Sequence, residues 1–151
     1  KEGDIIGVQG PFGRFTLDEK LNQDVVFIAG GVGSAPIMSM IRYLRETKPK
    51  LNMHLLYSCK TPDEIIYKNE LIDIASKHNN FKLLITITQE AEHWDGPKGR
   101  IDRKTILDNV PEPVNKRYYI CGSPEMVKAV IEELNTIGVK SENIVKEEWN
   151  A

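Results

Sequence analysis

The segment at residues 30–36, with the sequence GGVGSAP, has the composition of a phosphate-binding loop. It directly follows the apolar run at residues 25–29. Glycines allow a sharp turn and let phosphate oxygens approach the backbone, and the start of a following helix offers unpaired N–H groups and partial positive charge. Ser34 adds a hydroxyl. Pro36 replaces the third glycine of G-x-G-x-x-G, so the alternative is an ordinary tight turn, but three glycines among four residues favour phosphate binding.

A second segment, CGSPEM at residues 121–126, combines a thiol with a glycine and the start of a helix. Gly122 again permits close approach of a ligand. Cys121 lies near a helix N-terminus, a position that activates thiols. The alternative for Cys121 is a small buried residue at a strand end. Its expected position beside the first glycine loop favours a functional role.

Alternating strands and helices are predicted to position these two segments. Apolar and β-branched runs predict strands at 25–29, 53–57, 81–87, 117–121 and from Ile144 onward. The helices predicted between them are one from Pro36 to before Pro49, one opened by Thr61 with Ile65, Leu71, Ile72 and Ala75 on its apolar side, a short one capped by Asp102, and one from Ser123 to Gly138.

Helices between consecutive strands indicate βαβ crossovers. We therefore predict an α/β fold with a doubly wound five-stranded parallel sheet, strand order 3-2-1-4-5, and helices on both faces. In such a sheet, ligands bind where the strand order reverses, outside the carboxyl ends of the strands. Here the reversal lies between strands 1 and 4, so the glycine loop and the Cys121 segment are expected to meet.

The first 24 residues do not follow this alternation. Residues 4–9 have the pattern of a half-buried strand, and residues 10–13 that of a turn, but no crossover helix follows them. We interpret residues 1–24 as the tail of a preceding β-barrel domain and residues 25–151 as the nucleotide-binding domain. The chain is then a fragment or a separately made module.

Composition excludes several other classes of protein. The net charge of −2 over 151 residues gives no basic surface for nucleic acid, and the longest apolar run is far too short to span a membrane. No signal peptide is recognised. Cys59 and Cys121 are too far apart in sequence for a metal motif and suit the reducing cytoplasm. The histidines show no ligand spacing and are expected to be solvated; they are His54, His78 and His93.

Four motifs in one order resemble a known family: GPFGRF at 10–15, GGVGSAP at 30–36, CGSPEM at 121–126, and Glu148-Trp149. Together they look like the carboxyl-terminal NAD(P)-binding domain of the ferredoxin–NADP reductase superfamily, over nearly the whole chain. The resemblance implies that the glycine loop holds the dinucleotide pyrophosphate and that the Cys121 loop borders the nicotinamide. It also implies a preceding barrel domain whose FAD takes hydride from NAD(P)H and passes electrons singly to an iron–sulfur or haem partner.

The flavin-binding Arg-x-Tyr-Ser motif of that barrel is absent, so FAD is expected on another domain. The resemblance assigns catalytic roles to Cys121 and to Glu148, for which a surface charge is the alternative. Trp149 is expected to stack near the flavin or, alternatively, to cover the sheet edge. The residues expected to bind cofactor are Gly30, Gly31, Val32, Gly33, Ser34, Pro36, Ser58, Lys60, Thr88, Gln89, Cys121, Gly122, Ser123, Met126 and Trp149.

The residues after the third strand favour NADH over NADPH. NADP-dependent members often place Ser-Arg there to hold the 2′-phosphate, whereas this chain has Thr88-Gln89. Glutamine cannot make the charge-assisted bond of an arginine, and Glu90 and Glu92 would repel the phosphate. Three cations nearby favour the phosphorylated cofactor instead; they are Lys60, Lys98 and Arg100.

The sequence thus predicts an oxidoreductase module that binds NAD(P)H, with NADH favoured, and presents it to a flavin. A non-catalytic nucleotide-binding or assembly module is the main alternative. A thiol enzyme using Cys121 is a third hypothesis, but no histidine is placed to act as its base and only Glu125 lies nearby.

Overall fold

Within the residues that the computed structural model describes, 1–10, 12–18 and 20–148, five parallel strands form one sheet. The strands are β1 (Val25–Gly30), β2 (Met53–Cys59), β3 (Phe81–Ile87), β4 (Arg117–Gly122) and β5 (Ile144–Glu148). Their order is β3-β2-β1-β4-β5, and every neighbouring pair is parallel. The predicted order is confirmed, and the reversal falls between β1 and β4.

Helices cover both faces of this sheet, as predicted. They are α1 (Ser34–Thr47), α2 (Lys68–Lys77), α3 (Arg103–Asn109) and α4 (Pro124–Ile137). The apolar sides of α1 and α2 pack on one face, and those of α3 and α4 pack on the other. Side chains alternate along a strand, so Phe27 of β1 joins the first core and Ile28 joins the second. Both are fully buried, which explains why β1 is a continuous apolar run.

Two helix starts follow their predicted capping residues. The Asp102 carboxylate accepts a hydrogen bond from the backbone N–H of Thr105 at 2.8 Å and begins α3. The Ser123 hydroxyl accepts one from the backbone N–H of Met126 at 3.3 Å and begins α4, whose end is Gly138 with φ 99°. These caps satisfy backbone groups that a helix end leaves unpaired.

The helix predicted to open at Thr61 begins later than expected. Residues Pro62–Glu64 form only a 3-10 turn, and α2 begins at Lys68. The reason is tertiary: the backbone N–H of Ile66 donates to the side-chain hydroxyl of Tyr57 at 3.2 Å instead of to a helical carbonyl. As a result Ile74 is buried on α2, whereas Ile72, expected on its apolar side, is 50% exposed.

The strand predicted at residues 4–9 is wrong for this structure. These residues have no strand conformation, and the apolar side chains of Ile5, Ile6 and Val8 are exposed. A strand requires a hydrogen-bonded neighbour, and no described strand pairs with this segment. Closer to β1, Leu21 is buried in the core on the α1 face, and Phe15 makes an edge contact with Tyr119 at 6.1 Å between ring centroids.

His54 differs from the expectation that the histidines are solvated. It lies in β2, where its neighbours in the register are Val26 of β1 and Lys82 of β3, and it is only 6% exposed. Alternation along β2 turns this polar side chain inward, because a sheet covered on both faces leaves no solvated side. In the part of the chain with described positions, no helix has the length and apolar character needed to cross a membrane.

Candidate dinucleotide-binding site

The two loops that carried the predicted chemistry meet at the strand reversal. Ala29 at the end of β1 lies opposite Cys121 at the end of β4. A Cβ atom built on Gly30 would lie 2.2 Å from Sδ of Met126, and one on Gly33 would lie 2.3 Å from the carbonyl oxygen of Cys121. At Gly33 the near atoms belong to the backbone, so the contact between the loops requires glycine there, whereas at Gly30 the near atom is the end of the flexible Met126 side chain.

The glycine loop leaves an open backbone surface between β1 and α1. Residues Gly31–Gly33 form a 3-10 turn that runs directly into α1. Gly31 has φ 51°, in the left-handed region, and a Cβ built on it would meet no atom within 4 Å. Val32 is 65% exposed. The loop therefore has the free backbone face that a phosphate group requires.

The start of α1 is electrostatically suited to an anion. The helix has 14 residues, no acidic residue in its first turn and no side-chain hydrogen bond at its N-cap residue, Gly33. A helix of this length has partial positive charge at its N-terminus, where N–H groups lack helical partners. No acidic side chain in the first turn of α1 neutralises that charge, which leaves it available to a phosphate.

Tyr57, which sequence reasoning missed, lies beneath the glycine loop. Its ring is fully buried, and its Oη lies 3.1 Å from the carbonyl oxygen of Gly31 and 3.2 Å from Oγ of Ser34. Burial raises the pKa of this hydroxyl to about 12, so it stays protonated. The available signal was a tyrosine at the end of an apolar strand, which alone does not distinguish a core residue from a residue that supports a loop.

The sequence predicted that Ser34 would offer its hydroxyl to a phosphate, but this hydroxyl does not face the open side of the loop. The residue is 2% exposed, and its hydroxyl lies under the loop, against Tyr57. Its backbone N–H points back to the carbonyl oxygens of Gly31 and Val32. Ser34 thus contributes to the shape of the turn from below.

A cleft of about 330 Å³ adjoins the loops at the carboxyl ends of β2 and β3. It contains hydroxyl groups, cations and an apolar wall, and one carboxylate. The lining residues are Ser58, Lys60, Thr88, Arg100, Ile101, Ser123, Glu125, Met126, Ala129 and Val130. Five of these residues were predicted cofactor ligands, and the fold brings them together from three separate stretches of the chain. A larger groove, of about 650 Å³, lies between residues 15–18 and the side of α1.

Backbone hydrogen bonds extend the contact between β2 and β3 into this cleft. The N–H of Thr88 donates to the carbonyl oxygen of Cys59 at 2.9 Å, and the N–H of Gln89 donates to that of Lys60 at 3.0 Å. Thr88 lines the cleft, whereas Gln89 does not. These two backbone hydrogen bonds hold the chain at position 89, and so determine where its side chain projects from the carboxyl ends of the strands.

Some of the charged residues near the cleft are paired with each other, so they do not all contribute to its net charge. Lys98 forms an ion pair with Glu90 at 2.7 Å, so these two opposite predictors of cofactor preference neutralise each other. Lys60 and Arg100 line the cleft itself, together with Glu125. Hydrogen bonds at the start of α4, from its own backbone and from Ser123, lower the pKa of Glu125, which therefore remains a carboxylate at neutral pH.

The residues predicted to take part in catalysis lie at the same edge of the sheet. Cys121 is fully buried at the end of β4. Glu148 pairs with Gly122 in the β4–β5 register, and its carboxylate accepts a hydrogen bond from Nζ of Lys146 at 2.7 Å. Trp149 lies outside the described residues. No cluster of three metal-ligating side chains occurs in the ranges that the structure describes.

A parallel sheet with this strand order, a glycine loop at its reversal and an uncapped helix start defines a dinucleotide-binding α/β domain. The chain belongs to the family of oxidoreductase NAD-binding domains, whose sequence model matches residues 27–132. Its fold is that of the ferredoxin–NADP reductase-like proteins.

Two curated relatives illustrate this membership. The chain is 34% identical over 155 residues to a component of the Na(+)-translocating NADH-quinone reductase of Haemophilus ducreyi, a match that covers 99% of the chain and 38% of the relative. It is 31% identical over 144 residues to NADH-cytochrome b5 reductase 1 of Dictyostelium discoideum, covering 94% of the chain and 50% of that protein. The chain therefore spans half or less of the length of these relatives.

A solved structure supports the fold independently. The FAD/NAD-binding domain of the nitric oxide dioxygenase from Vibrio cholerae superimposes with a TM-score of 0.83 at 21% identity, over 93% of this chain and 56% of that one. At that level of identity the similarity extends to the fold alone.

Proposed function

We propose that this chain is the NADH-binding module of a flavin-dependent electron-transfer reductase. The observation that carries the proposal is the open backbone of Gly31 at the start of α1, where a Cβ would meet nothing within 4 Å, next to a polar cleft at the same sheet edge. An extended ligand with a diphosphate in its middle fits this arrangement. The diphosphate would lie on Gly31–Gly33, with the helix start as its counter-charge.

The two halves of the dinucleotide would lie on either side of that loop. The cleft lined by Ser58 and Thr88 would take the adenosine half, because its hydroxyl groups suit a ribose. The nicotinamide would then lie near Cys121 and Gly122, which pack against the glycine loop. When bound, NADH supplies a hydride; the chain's own part is to hold and orient the cofactor.

NADH is the proposed cofactor in preference to NADPH. Both relatives described above are named as NADH-dependent proteins, and Gln89 lacks the charge that would hold a 2′-phosphate. Lys60 and Arg100 are the cleft cations that would oppose this preference.

The hydride acceptor is proposed to be FAD on another domain, which passes electrons to an iron–sulfur or haem partner. Support comes from the names of relatives and structural neighbours, which include an FAD/NAD-binding domain and a cytochrome b5 reductase. Residues 1–24 are proposed to be the tail of that flavin domain, since Ile5, Ile6 and Val8 expose apolar side chains. The buried cysteines suit a cytoplasmic location.

Calorimetric titration of the chain with NADH and with NADPH tests the proposal. Wild type should bind NADH, and more tightly than NADPH. Gly31→Ala should weaken NADH binding at least about tenfold, since a methyl group occupies the phosphate surface and the residue must adopt a left-handed φ. Gly138→Ala is the matched control, because Gly138 also has positive φ and open space but ends α4.

Three outcomes would contradict parts of this proposal. Absence of NADH binding by folded wild type would refute the function. Equal affinities of the Gly31→Ala and Gly138→Ala variants would refute the location of the diphosphate. Tighter binding of NADPH would refute the cofactor preference and would point to Lys60 or Arg100 as the phosphate ligand.

A further inference from the structure

We propose that Tyr57 is a positioning residue for the diphosphate site, and that its hydroxyl holds the Gly31–Val32 peptide with the N–H directed toward the bound anion. This inference rests on the proposed function and assigns a role to a residue that would not itself touch the cofactor. Tyr57 is fully buried at 0% exposure in β2, two strand spacings from β4 and directly below the loop that follows β1.

The hydroxyl of Tyr57 contacts groups from two different loops, besides the thiol of Cys59 in its own strand. The carbonyl oxygen of Gly31 lies at 3.1 Å, Oγ of Ser34 at 3.2 Å, and the backbone N–H of Ile66 donates to it at 3.2 Å. Gly31 and Ser34 belong to the glycine loop and the start of α1, whereas Ile66 precedes α2. One buried hydroxyl therefore joins the loop after β1 to the loop after β2.

Counting protons assigns the direction of these bonds. Tyr57 has one hydroxyl proton, and the Gly31 carbonyl oxygen can only accept. When Tyr57 donates to the Gly31 carbonyl oxygen, its own oxygen is left to accept from the N–H of Ile66. The Ser34 hydroxyl and the Cys59 thiol are the other polar groups beside it. Since burial raises the pKa of Tyr57 to about 12, the donor is present throughout the physiological range.

Peptide planarity transmits this bond to the face of the loop. In a trans peptide the carbonyl oxygen of one residue and the N–H of the next point in opposite directions. Because Tyr57 and the N–H of Ser34 both hold the Gly31 oxygen on the inner side, the N–H of Val32 must point to the other side. Val32 is 65% exposed, and the outer side of the loop is the surface proposed for the diphosphate.

Glycine makes this restraint necessary. Gly31 has no side chain to resist rotation of the adjoining peptide, and no atom would lie within 4 Å of a Cβ placed there. Loss of the Tyr57 hydroxyl removes one of the two donors to the Gly31 oxygen and leaves the peptide freer to turn its N–H inward. The cost would appear in binding, because the ligand must then reorder the loop.

The test compares NADH binding by wild type, Tyr57→Phe and Tyr118→Phe, measured by calorimetry. Tyr118 is the matched control: it is also fully buried, and its hydroxyl donates to the carbonyl oxygen of Pro113 at 2.8 Å, before β4 begins. Each variant removes one buried tyrosine hydroxyl, with the contacts of Tyr57 around the glycine loop and that of Tyr118 before β4. We expect about tenfold weaker NADH binding for Tyr57→Phe and unchanged binding for Tyr118→Phe.

A spectroscopic measurement separates positioning from general stability. In wild type, the backbone amide resonance of Val32 should shift on NADH addition; in Tyr57→Phe, the shift at the same fractional saturation should be reduced. Two results would show that the proposed role of Tyr57 is wrong while the proposed function stands. In the first, wild type and Tyr57→Phe bind NADH equally well. In the second, wild type binds NADH but its Val32 resonance does not move. If folded wild type does not bind NADH, the proposed function fails and this inference fails with it. Should Tyr57→Phe not fold, the wild-type Val32 resonance alone decides.

Discussion

The glycines at the strand reversal serve different physical purposes although they lie next to one another. Gly33 is required because the backbone of Cys121 at the end of β4 leaves no room for a Cβ atom, while Gly30 faces the side chain of Met126. Gly31 is required because of its left-handed φ and the open surface above it. Structural stability and ligand access are thus divided between neighbouring residues, and substitutions should separate them.

Replacement of Gly33 by alanine should destabilise the fold. The new methyl group would lie 2.3 Å from the carbonyl oxygen of Cys121 and 2.6 Å from its carbon, and backbone atoms cannot move aside as a flexible side chain can. We expect a loss of about 1–3 kcal/mol in the free energy of unfolding, typical of overpacking. Denaturant titration measures it, with Gly31→Ala as the comparison. A smaller loss for Gly33→Ala than for Gly31→Ala would contradict this account of the loop contact.

Among the helices, α3 depends on its N-cap residue, Asp102, more than the longer ones depend on theirs. It has seven residues, and a helix this short is marginal without external support. Ile106 anchors it in the core on the α4 face, while Asp102 accepts hydrogen bonds from the N–H and the hydroxyl of Thr105 at 2.8 and 2.7 Å. The cap and one buried side chain together hold the helix against α4.

Removal of this cap should lower stability in a pH-dependent manner. Asp102→Ala should cost about 1 kcal/mol at neutral pH, whereas Asp102→Asn keeps an acceptor oxygen and should cost less. Hydrogen bonds from Thr105 lower the pKa of Asp102 below its usual 3.8, so the contribution is complete above that value and is lost as pH falls through the lowered pKa. Thermal unfolding at pH 7 and pH 3 measures both effects; an Asp102→Ala penalty of equal size at the two pH values would argue against a role for the carboxylate.

Across the molecule as a whole, the amino and carboxyl ends of the parallel strands are built differently. The carboxyl ends lead into glycines and open loops. At the amino ends, the carboxylate of Asp24 contacts Nζ of Lys116 at 2.9 Å and Nδ2 of Asn52 at 3.1 Å. The side chain of Lys116 is only 10% exposed. The Asp24 carboxylate therefore joins the segments that enter β1, β2 and β4, at the end of the sheet away from the proposed ligand site.

His54 should make the stability of the whole fold depend on pH. Burial lowers its pKa, the positive charges of Lys116 and Lys82 lower it further, and Asp24 opposes them; its buried Nδ1 has no hydrogen-bond partner among the residues that the structure describes. The unfolded chain therefore binds a proton more readily than the folded one. By linkage, the stability that neutral His54 permits is present above the unfolded pKa of 6.5 and is lost as pH falls through the lowered folded value.

A buried apolar residue at position 54 tests this linkage. Between pH 7.5 and pH 5, wild type should lose more unfolding free energy than His54→Leu, which cannot be protonated. Urea titrations across that range give both curves. Parallel curves for the two proteins would show that another group is responsible for any acid sensitivity.

Local patterns in the amino-acid sequence were sufficient to predict the five strands of the sheet, their order, the main helix starts and the meeting of the two glycine segments. Apolar runs report burial on both faces, proline and capping residues mark helix starts, and the handedness of βαβ crossovers leaves few possible strand orders. Phosphate binding was predicted from the position of residues 30–36 at the reversal, and NAD(P)H from the resemblance to the reductase superfamily.

The support beneath that site becomes visible only in the folded chain. Tyr57, Ser34 and Ile66 are distant in sequence, and only the parallel register of β1 and β2 places the tyrosine hydroxyl under Gly31. The same register buries His54, and the bond from Ile66 to Tyr57 delays the helix predicted at Thr61. Local patterns report the conformation a segment prefers, whereas a buried polar group takes its partners from whichever distant segment the packed fold brings within hydrogen-bond distance.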